Sequence, residues 1–486
     1  MIVTNCATGT LNPYVPSAGQ PWDRRRALHM LRRMGFGASP QQVDAVLGQS
    51  PTTLVDALIT QAVNLPLPSA PYWANWDINN YTDFAQQSQD QLVSWVVGWI
   101  KDMLNNNFRE KMTLFWSNHL VTKYEAYACP SQLYAYHKLL QQHALGNFKT
   151  LVREIGLTPA MLVFLNGVQN TSINPNENYA RELYELFTLG QDNGYTQTDI
   201  QQTARALTGW NGYITYCSTI SFISILHDNG NKTIFGQTGN WGYDDVINIL
   251  FQQRGDQIAS HICRKLYRFF IHPDEVNEDI VAGLAATFKA NNWELAPVLR
   301  QLFKSEHFFD DYVIGTQVKS PTEMMVSFIR DGNFTTGYLP NDEAMLSVTY
   351  LIYTVGQELF NPPDVSGWPG NRSWINGSTL TGRWQAMDYH IYYLYQAQGT
   401  QLVDLAKTLS NNSIDPEFIT RTIVDHFLPN GLGTDEEYMR ATGVFKWEVP
   451  QNYYDTGGWS LDWDIAYIQV ALLLRHISRL PDFQLS

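Results

Sequence analysis

Asn176-Glu-Asn-Tyr-Ala-Arg-Glu-Leu-Tyr-Glu-Leu-Phe-Thr-Leu-Gly190 is the stretch of this chain that says most about its fold. At about 100° per residue, its apolar and polar side chains fall on opposite sides of an α-helix that stops at a glycine. The apolar face carries Tyr179, Leu183, Leu186 and Phe187. The polar face carries Asn178, Arg181, Glu182 and Glu185. The stretch therefore predicts an amphipathic helix that packs against a core.

The spacing of the charges on this helix singles out one acid. Arg181 lies four residues from both Glu177 and Glu185, so one guanidinium can serve two carboxylates. Glu182 has no such local partner, which makes it the first candidate for acid–base chemistry. The alternative is that Glu182 and Glu185 simply belong to a solvated polar face.

Helical periodicity dominates the rest of the chain as well. Predicted helices cover residues 92–104, 109–121, 131–145, 177–189, 198–207, 258–270, 275–289, 321–330, 343–359, 373–398 and 463–480. Ser320-Pro321-Thr322-Glu323 has the residues of a helix start. Between 213 and 226, β-branched and aromatic residues predict a β-hairpin, to which 232–236 adds.

The predicted fold is all-α: one large multi-helix domain with a small β-hairpin insertion near 212–236. Its expected divisions follow the chain. An irregular N-terminal segment covers 1–22, a helical core with the β insertion covers 23–400, and C-terminal helices packed on the same domain cover 401–486.

Composition limits the classes of function. Hydrophobic residues make up 44% and charged residues 16% of the chain, which indicates a globular protein. The net charge of −14 argues against nucleic-acid binding, because phosphate recognition needs a basic patch. The main basic concentration, Arg24-Arg25-Arg26 with Arg32-Arg33, is expected to form a solvated face of the first helix.

Cysteine spacing and the N-terminal residues leave the compartment open. Cys6, Cys129, Cys217 and Cys263 have no C-x-x-C spacing, so no disulfide pairing follows and core thiols are expected. No apolar run reaches the ~18 residues of a membrane span. No signal peptide is visible, although a surface rich in aromatic and amide residues favours export, as in proteins that handle carbohydrate.

Eight short motifs, including the Asn176 to Gly190 stretch, follow one another along the chain. They are Leu31-Arg-Arg-Met-Gly-Phe-Gly-Ala-Ser39, Arg109-Glu-Lys-Met-Thr-Leu-Phe-Trp-Ser-Asn-His119, the Asn176 to Gly190 stretch, Tyr195-Thr-Gln-Thr-Asp199, Ala204-Arg-Ala-Leu-Thr-Gly-Trp210, Phe235-Gly-Gln-Thr-Gly239, Arg264-Lys-Leu-Tyr-Arg-Phe-Phe270 and Phe360-Asn-Pro-Pro-Asp-Val-Ser-Gly-Trp-Pro369. Together they resemble the bacterial family known as domain of unknown function eighteen-hundred, over residues 25 to 390.

This resemblance implies a mainly helical protein that is commonly exported and often encoded beside a sulfatase-like protein. It implies no activity. The chain departs from the family pattern at Ser117, where members often have histidine, and at Leu120, where phenylalanine is usual. These departures argue against a metal site that needs two histidines there.

His119 follows the apolar stripe that contains Phe115 and Trp116. It is expected either to be a satisfied core histidine or to pair with Glu182 across two packed helices, which would raise its basicity. Glu182 and Glu185 lie too close on one helix to act on opposite faces of a sugar. A glycosidase would therefore need a second acid, and Asp364 is the candidate.

The proline- and glycine-rich loop 361–376 supplies candidate binding residues. Trp368 and Trp374 offer flat faces that stack on sugar rings, unless both tryptophans pin the loop to the core. The other candidate binding residues are Asn118, Asn178, Arg181, Arg372 and Trp210. No metal ligands are predicted, since Asp244 and Asp245 are better explained as charges in the first turn of a helix.

These residues lead to three hypotheses about function. The leading one is a carbohydrate-acting enzyme or carbohydrate-binding protein with an oligosaccharide ligand, in which Glu182 is the general acid or base. The second is a non-catalytic structural or secretion-associated protein, in which the same polar residues fix helix packing. The third is a metal-dependent hydrolase or oxidase. The residues identify no cofactor.

Overall fold

A computed structural model describes residues 9–486, apart from the side chains of Asn106 and Asn107. Its helices before the β insertion are α1 (Arg24–Arg33), α2 (Pro40–Leu47), α3 (Pro51–Asn64), α4 (Phe84–Ser117), α5 (Tyr124–Tyr127), α6 (Pro130–Gln142), α7 (Phe148–Ile155), α8 (Pro159–Phe164), α9 (Asn178–Glu182) and α10 (Gln197–Ala206). A π-helical segment, Leu183–Thr188, continues α9.

The helices after the insertion are α11 (Tyr243–Gln253), α12 (Gly255–Phe270), α13 (Glu278–Ala290), α14 (Leu295–Lys304), α15 (Pro321–Asp331), α16 (Thr335–Tyr338), α17 (Asp342–Thr354), α18 (Gly377–Ala397), α19 (Gly399–Ser410), α20 (Pro416–Phe427), α21 (Asp435–Lys446), α22 (Gln451–Asp455) and α23 (Ala466–Ser478). The predicted all-α class is confirmed. Among the described residues, no helix combines the length and the apolar character that crossing a bilayer requires.

Helix α4 joins two segments that were predicted as separate helices. It runs unbroken for 34 residues because neither proline nor a capping glycine interrupts the asparagines at its middle. Trp99 and Trp116, one from each half, are both fully buried. The helix ends at Ser117 with Asn118 as its C-cap, and the following His119 is buried.

The β insertion is confirmed, but its strands are shorter than predicted. Strand β1 (Trp210–Asn211) pairs antiparallel with β2 (Ser221–Phe222), and β3 (Lys232–Ile234) pairs antiparallel with β4 (Gln237–Gly239). Most of the predicted 213–226 hairpin is therefore a loop between β1 and β2. A disulfide between Cys129, at the start of α6, and Cys217 fixes this loop to the helical body.

Sequence spacing did not predict that disulfide. Cys263 does fit the expected core thiol, since it is buried and free, and Cys6 lies outside the described residues. The irregular N-terminal segment, where it is described, lies along the end of α14: the Tyr14 amide donates to Lys304 O at 2.7 Å. The division of the chain at 22 and 400 stays a prediction.

Reducing the Cys129–Cys217 disulfide is expected to destabilise the protein by about 2–4 kcal/mol, because the bond closes a long loop in the unfolded chain. The two cysteines lie 88 residues apart. Thermal unfolding with and without reductant measures the effect. The Cys129→Ala/Cys217→Ala variant is the control, and reductant should leave its unfolding temperature unchanged. Equal effects of reductant on both proteins would contradict the prediction.

Candidate functional site

Arg181 connects two carboxylates as its spacing predicted. Its Nη2 donates to Glu177 Oε2 at 2.9 Å and its Nη1 donates to Glu185 Oε1 at 3.2 Å. Both acids are partly buried, and the same guanidinium also reaches Gln197 in α10. This network holds α9 against α10.

Glu182 lies outside that network. Glu182 is half-buried, and its carboxylate makes no hydrogen bond or ion pair with any residue in the described part of the chain. Burial raises the pKa of its carboxyl, the nearby Glu185 charge raises it further, and Arg181 opposes both. A carboxyl in this state holds its proton more readily than an ordinary glutamate does, as a general acid must.

The π-helical segment frees two carbonyl groups for histidines. The amides of Leu189 and Gly190 both donate to Tyr184 O, at 2.9 and 3.1 Å. The carbonyl of Phe187 instead contacts His119 Nε2 at 3.0 Å, and the carbonyl of Leu186 contacts His261 Nε2 at 3.4 Å. Two imidazoles therefore serve as hydrogen-bonding partners for the last carbonyl groups of this helix, which capping residues usually provide.

Of the two alternatives for His119, the structure has the core histidine and not the pairing with Glu182. His119 does pack against the 176–190 stretch, but its ring nitrogen contacts a backbone carbonyl. Burial, followed by the charges of Lys265 and His261, lowers the pKa of His119 well below its ordinary value, so its basicity falls instead of rising. The ring is neutral at physiological pH, and its Nδ1 is buried without a partner among residues 9–486.

Asn118 connects α4 to the tryptophan-rich loop. Its Oδ1 accepts from the Trp368 amide at 2.7 Å and its Nδ2 donates to Trp368 O at 3.0 Å. Gly367 allows this approach, since its φ is +81° and a Cβ there would collide with the Asn118 side chain. The loop is thus held at one fixed point, 250 residues away in sequence.

Three of the predicted binding residues meet at one cavity. We call it the Trp-loop cavity; its volume is ≈ 90 Å³. Its lining residues are Arg33, Leu114, Asn118, Phe269, Gln317, Val318, Ser320, Glu323, Gln357, Trp368, Gly370, Asn371 and Trp374. Trp368 and Trp374 are only 7% and 8% exposed, so they form part of its wall instead of standing free on the surface.

Two glutamines give the Trp-loop cavity unused hydrogen-bonding groups. Gln317 Nε2 donates to Arg268 O at 2.6 Å, and Gln357 Oε1 accepts from the Thr322 amide at 2.9 Å. The other amide atom of each, Gln317 Oε1 and Gln357 Nε2, makes no hydrogen bond within the described residues. One acceptor and one donor are therefore available beside two indole rings.

Charges in the cavity wall are paired. Lys111 Nζ donates to Glu323 Oε1, while the Ser320 amide donates to Glu323 Oε2 at 2.8 Å, as the predicted helix start requires. These contacts hold the pKa of the buried Glu323 carboxyl at about 2. Arg33 donates to the carbonyls of Phe269 and Phe270. Glu323 is thus a fixed anion and not a proton donor.

The remaining predicted site residues do not line the Trp-loop cavity. Asn178, Arg181 and Glu182 lie on α9, and Glu185 lies on the π-helical segment that continues it. Asp364 is exposed and accepts from the Ser366 amide at 2.8 Å, as in a simple turn. Arg372 is 86% exposed and pairs with Asp274, and Trp210 lies in β1 against Phe222. Four lining residues were not predicted as site residues: Arg33, Gln317, Glu323 and Gln357. The sequence had indicated Arg33 and Glu323 for other roles, and nothing in the local sequence marks the two glutamines.

Two aspartates whose oxygens would suit a hard cation, Asp228 and Asp244, have protein partners. Asp228 pairs with Arg205 at 2.7 Å, and Asp244 pairs with Arg153 at 2.8 Å. Asp244 and Asp245 lie in the first turn of α11, as expected. Within residues 9–486, no group of three or more His, Cys, Asp or Glu side chains is arranged to hold a metal ion.

A known protein-family model matches most of the chain. The family model described as "Protein of unknown function (DUF1800)" matches residues 29–485. The chain belongs to the DUF1800 family. The match extends beyond the resemblance seen in the motifs, which ended near residue 390, and takes in the C-terminal helices α19 to α23. No curated protein and no solved structure is detectably similar to the chain.

Proposed function

We propose that this DUF1800 protein binds carbohydrate, with one sugar residue entering the Trp-loop cavity. The observation that carries the proposal is the pair of unused amide atoms, Gln317 Oε1 and Gln357 Nε2, beside the rings of Trp368 and Trp374. Sugar hydroxyls both donate and accept, and their C–H faces pack on aromatic rings. A ligand with hydroxyl groups and an apolar C–H face would hydrogen-bond both free amide atoms and pack on the indole rings.

The satisfied charged groups and the size of the cavity support an uncharged and small ligand group. Glu323 pairs with Lys111, and every nitrogen of the Arg33 guanidinium already donates to a neutral partner, namely the carbonyls of Phe269 and Phe270 and the Ser486 hydroxyl. The volume of ≈ 90 Å³ is well below that of a drug-sized site, so it suits one end of a sugar chain. The rest of an oligosaccharide would lie outside the cavity.

The disulfide supports a place of action outside the cytoplasm. Bonds such as Cys129–Cys217 persist in the periplasm and outside cells, where no thiol pool reduces them. Exported proteins are also those that meet polysaccharides. Export is therefore part of the proposal.

A second candidate function, carbohydrate hydrolysis, is favoured by Glu182. Its unpaired oxygens and raised pKa suit a group that gives a proton to a leaving sugar oxygen. Glu185, held by Arg181, would remain the charged neighbour. Because Glu182 does not line the Trp-loop cavity, hydrolysis and binding there can be tested separately.

Neutral mono- and disaccharides are expected to bind wild-type protein, and Gln317→Met should weaken that binding about tenfold. The substitution keeps the wall but removes one hydrogen-bonding amide, and about 1.4 kcal/mol corresponds to a factor of ten. Isothermal titration calorimetry with a panel of such sugars measures the affinities, and circular dichroism verifies folding.

Gln401→Met is the matched control, since Gln401 lies on α19 away from this cavity. It should leave sugar affinity unchanged. If no sugar of the panel binds wild-type protein, the proposal fails, and the result favours a non-catalytic structural or secretion-associated protein. If sugars bind and are also cleaved, Glu182→Gln should abolish cleavage and leave affinity intact; cleavage by Glu182→Gln would remove the second candidate.

A further inference from the structure

A second and larger cavity lies between helices α1, α2, α3 and α4. Its volume is ≈ 340 Å³, against ≈ 90 Å³ for the Trp-loop cavity. That volume lies within the range of about 300–1,000 Å³ typical of small-molecule sites. The two cavities share no lining residue, so this one is independent of the proposed sugar site.

The walls of the larger cavity are mostly apolar. The side chains that face one another across it include Leu31, Val46, Leu54, Leu58 and Phe108. Amides at its edge, from Gln42, Gln61 and Asn105, are neutral. A hydrocarbon chain placed between these walls would leave water, and the affinity would grow with each methylene buried.

One cation lines this apolar cavity. Arg330 is only 8% exposed, and its Nε donates to Gly37 O at 3.0 Å while its Nη1 donates to Leu104 O. Among the described residues, no group hydrogen-bonds to its Nη2 and no carboxylate forms an ion pair with it. The neighbouring Asp331 is already paired with Arg32.

The Asp331 charge acts on Arg330 from nearby but forms no ion pair with it. A buried guanidinium that no carboxylate contacts is costly, and a carboxylate that reaches it gains a charge-assisted hydrogen bond. We propose that the α1–α4 cavity binds a small amphiphilic carboxylate, with its alkyl chain against the leucines and its carboxylate on Arg330 Nη2. An alkyl alcohol would keep the apolar contacts but lose the ionic one. An alkyl ammonium would be repelled by the arginine.

Octanoate, octanol and octylammonium are the probes that test this inference on wild-type protein. Isothermal titration calorimetry should detect octanoate binding, with octanol at least about tenfold weaker and octylammonium without measurable affinity. Equal affinities for octanoate and octanol, or no binding of octanoate, would overturn the proposal. These outcomes need no variant, so they do not depend on the folding of a mutant.

Leu58→Trp locates the site, because the larger ring fills the cavity from a half-buried position on α3. It should abolish octanoate binding. Leu346→Trp is the matched control on the exposed face of α17 and should bind octanoate as wild type does. Arg330→Gln should make octanoate and octanol equal. Undiminished octanoate binding by folded Leu58→Trp would show that the carboxylate binds elsewhere and would overturn the inference.

Discussion

Replacing Asp331 with asparagine is expected to lower the free energy of unfolding by ~3–5 kcal/mol. Asp331 is 1% exposed, and its Oδ2 accepts from Arg32 Nε at 3.1 Å and from Arg32 Nη2 at 2.9 Å. Its Oδ1 accepts from the Ala38 amide at 3.0 Å. Asparagine removes the charge and leaves the Arg32 guanidinium buried without a counter-ion.

Asp342→Asn is the matched control for this experiment. Asp342 also pairs with a cation, Lys101, but its side chain is 81% exposed. Water and salt screen that pair, so its loss should cost no more than about 1 kcal/mol. Urea unfolding of both variants measures the difference. If the two variants lose similar stability, the Arg32–Asp331 pair does not support the core in the way its burial indicates.

This pair also marks the limit of prediction from sequence. The arginines of α1 were expected to form a solvated face, but Arg26, Arg32 and Arg33 are buried. Arg32 meets an acid 299 residues away, and Arg33 meets carbonyls at the end of α12. Local charge spacing carries no information about partners at such a separation. The prediction that these arginines form a solvated face of α1 was therefore wrong.

Local contacts, in contrast, were predicted well. The Glu177–Arg181–Glu185 network and the Ser320–Glu323 helix start depend only on residues within one turn of each other. The all-α class follows from the same short-range periodicity. For the same reason, the position of Glu182 outside that network could be expected, while the surroundings that raise its pKa could not.

The residues of the candidate site could be predicted only in part. The sequence indicated Asn118, Trp368 and Trp374 individually, and the fold brings them to one cavity. The glutamines that make the cavity suitable for a ligand belong to the segments at 317 and 357, whose local patterns are ordinary. The absence of a His119–Glu182 pair has a physical cause too: the π-helical segment leaves a free carbonyl at Phe187, and the imidazole contacts that carbonyl instead.

Glu323 gives the second large effect, a loss of stability in acid. Burial by itself raises the pKa of the Glu323 carboxyl, but the contacts with Lys111 and the Ser320 amide together outweigh burial and lower this pKa from 4.5 to about 2 in the folded protein. A depressed pKa stabilises the folded state above the unfolded value and stops doing so as pH falls towards the folded value. At neutral pH this contribution to the free energy of unfolding is complete and amounts to about 3 kcal/mol. It is lost as the pH falls from about 4.5 to about 2.

Glu323→Gln tests the origin of that acid sensitivity. At neutral pH the variant should lose ~3–5 kcal/mol, because Lys111 is left buried without a counter-charge. Below about pH 4.5 its stability should fall less steeply than that of wild type, since the titrating group is gone. Glu278→Gln is the control: Glu278 pairs with Arg264 but is 62% exposed, so the loss should be small. Urea unfolding from neutral pH into acid measures both, and parallel curves for wild type and Glu323→Gln would assign the acid sensitivity to other carboxylates.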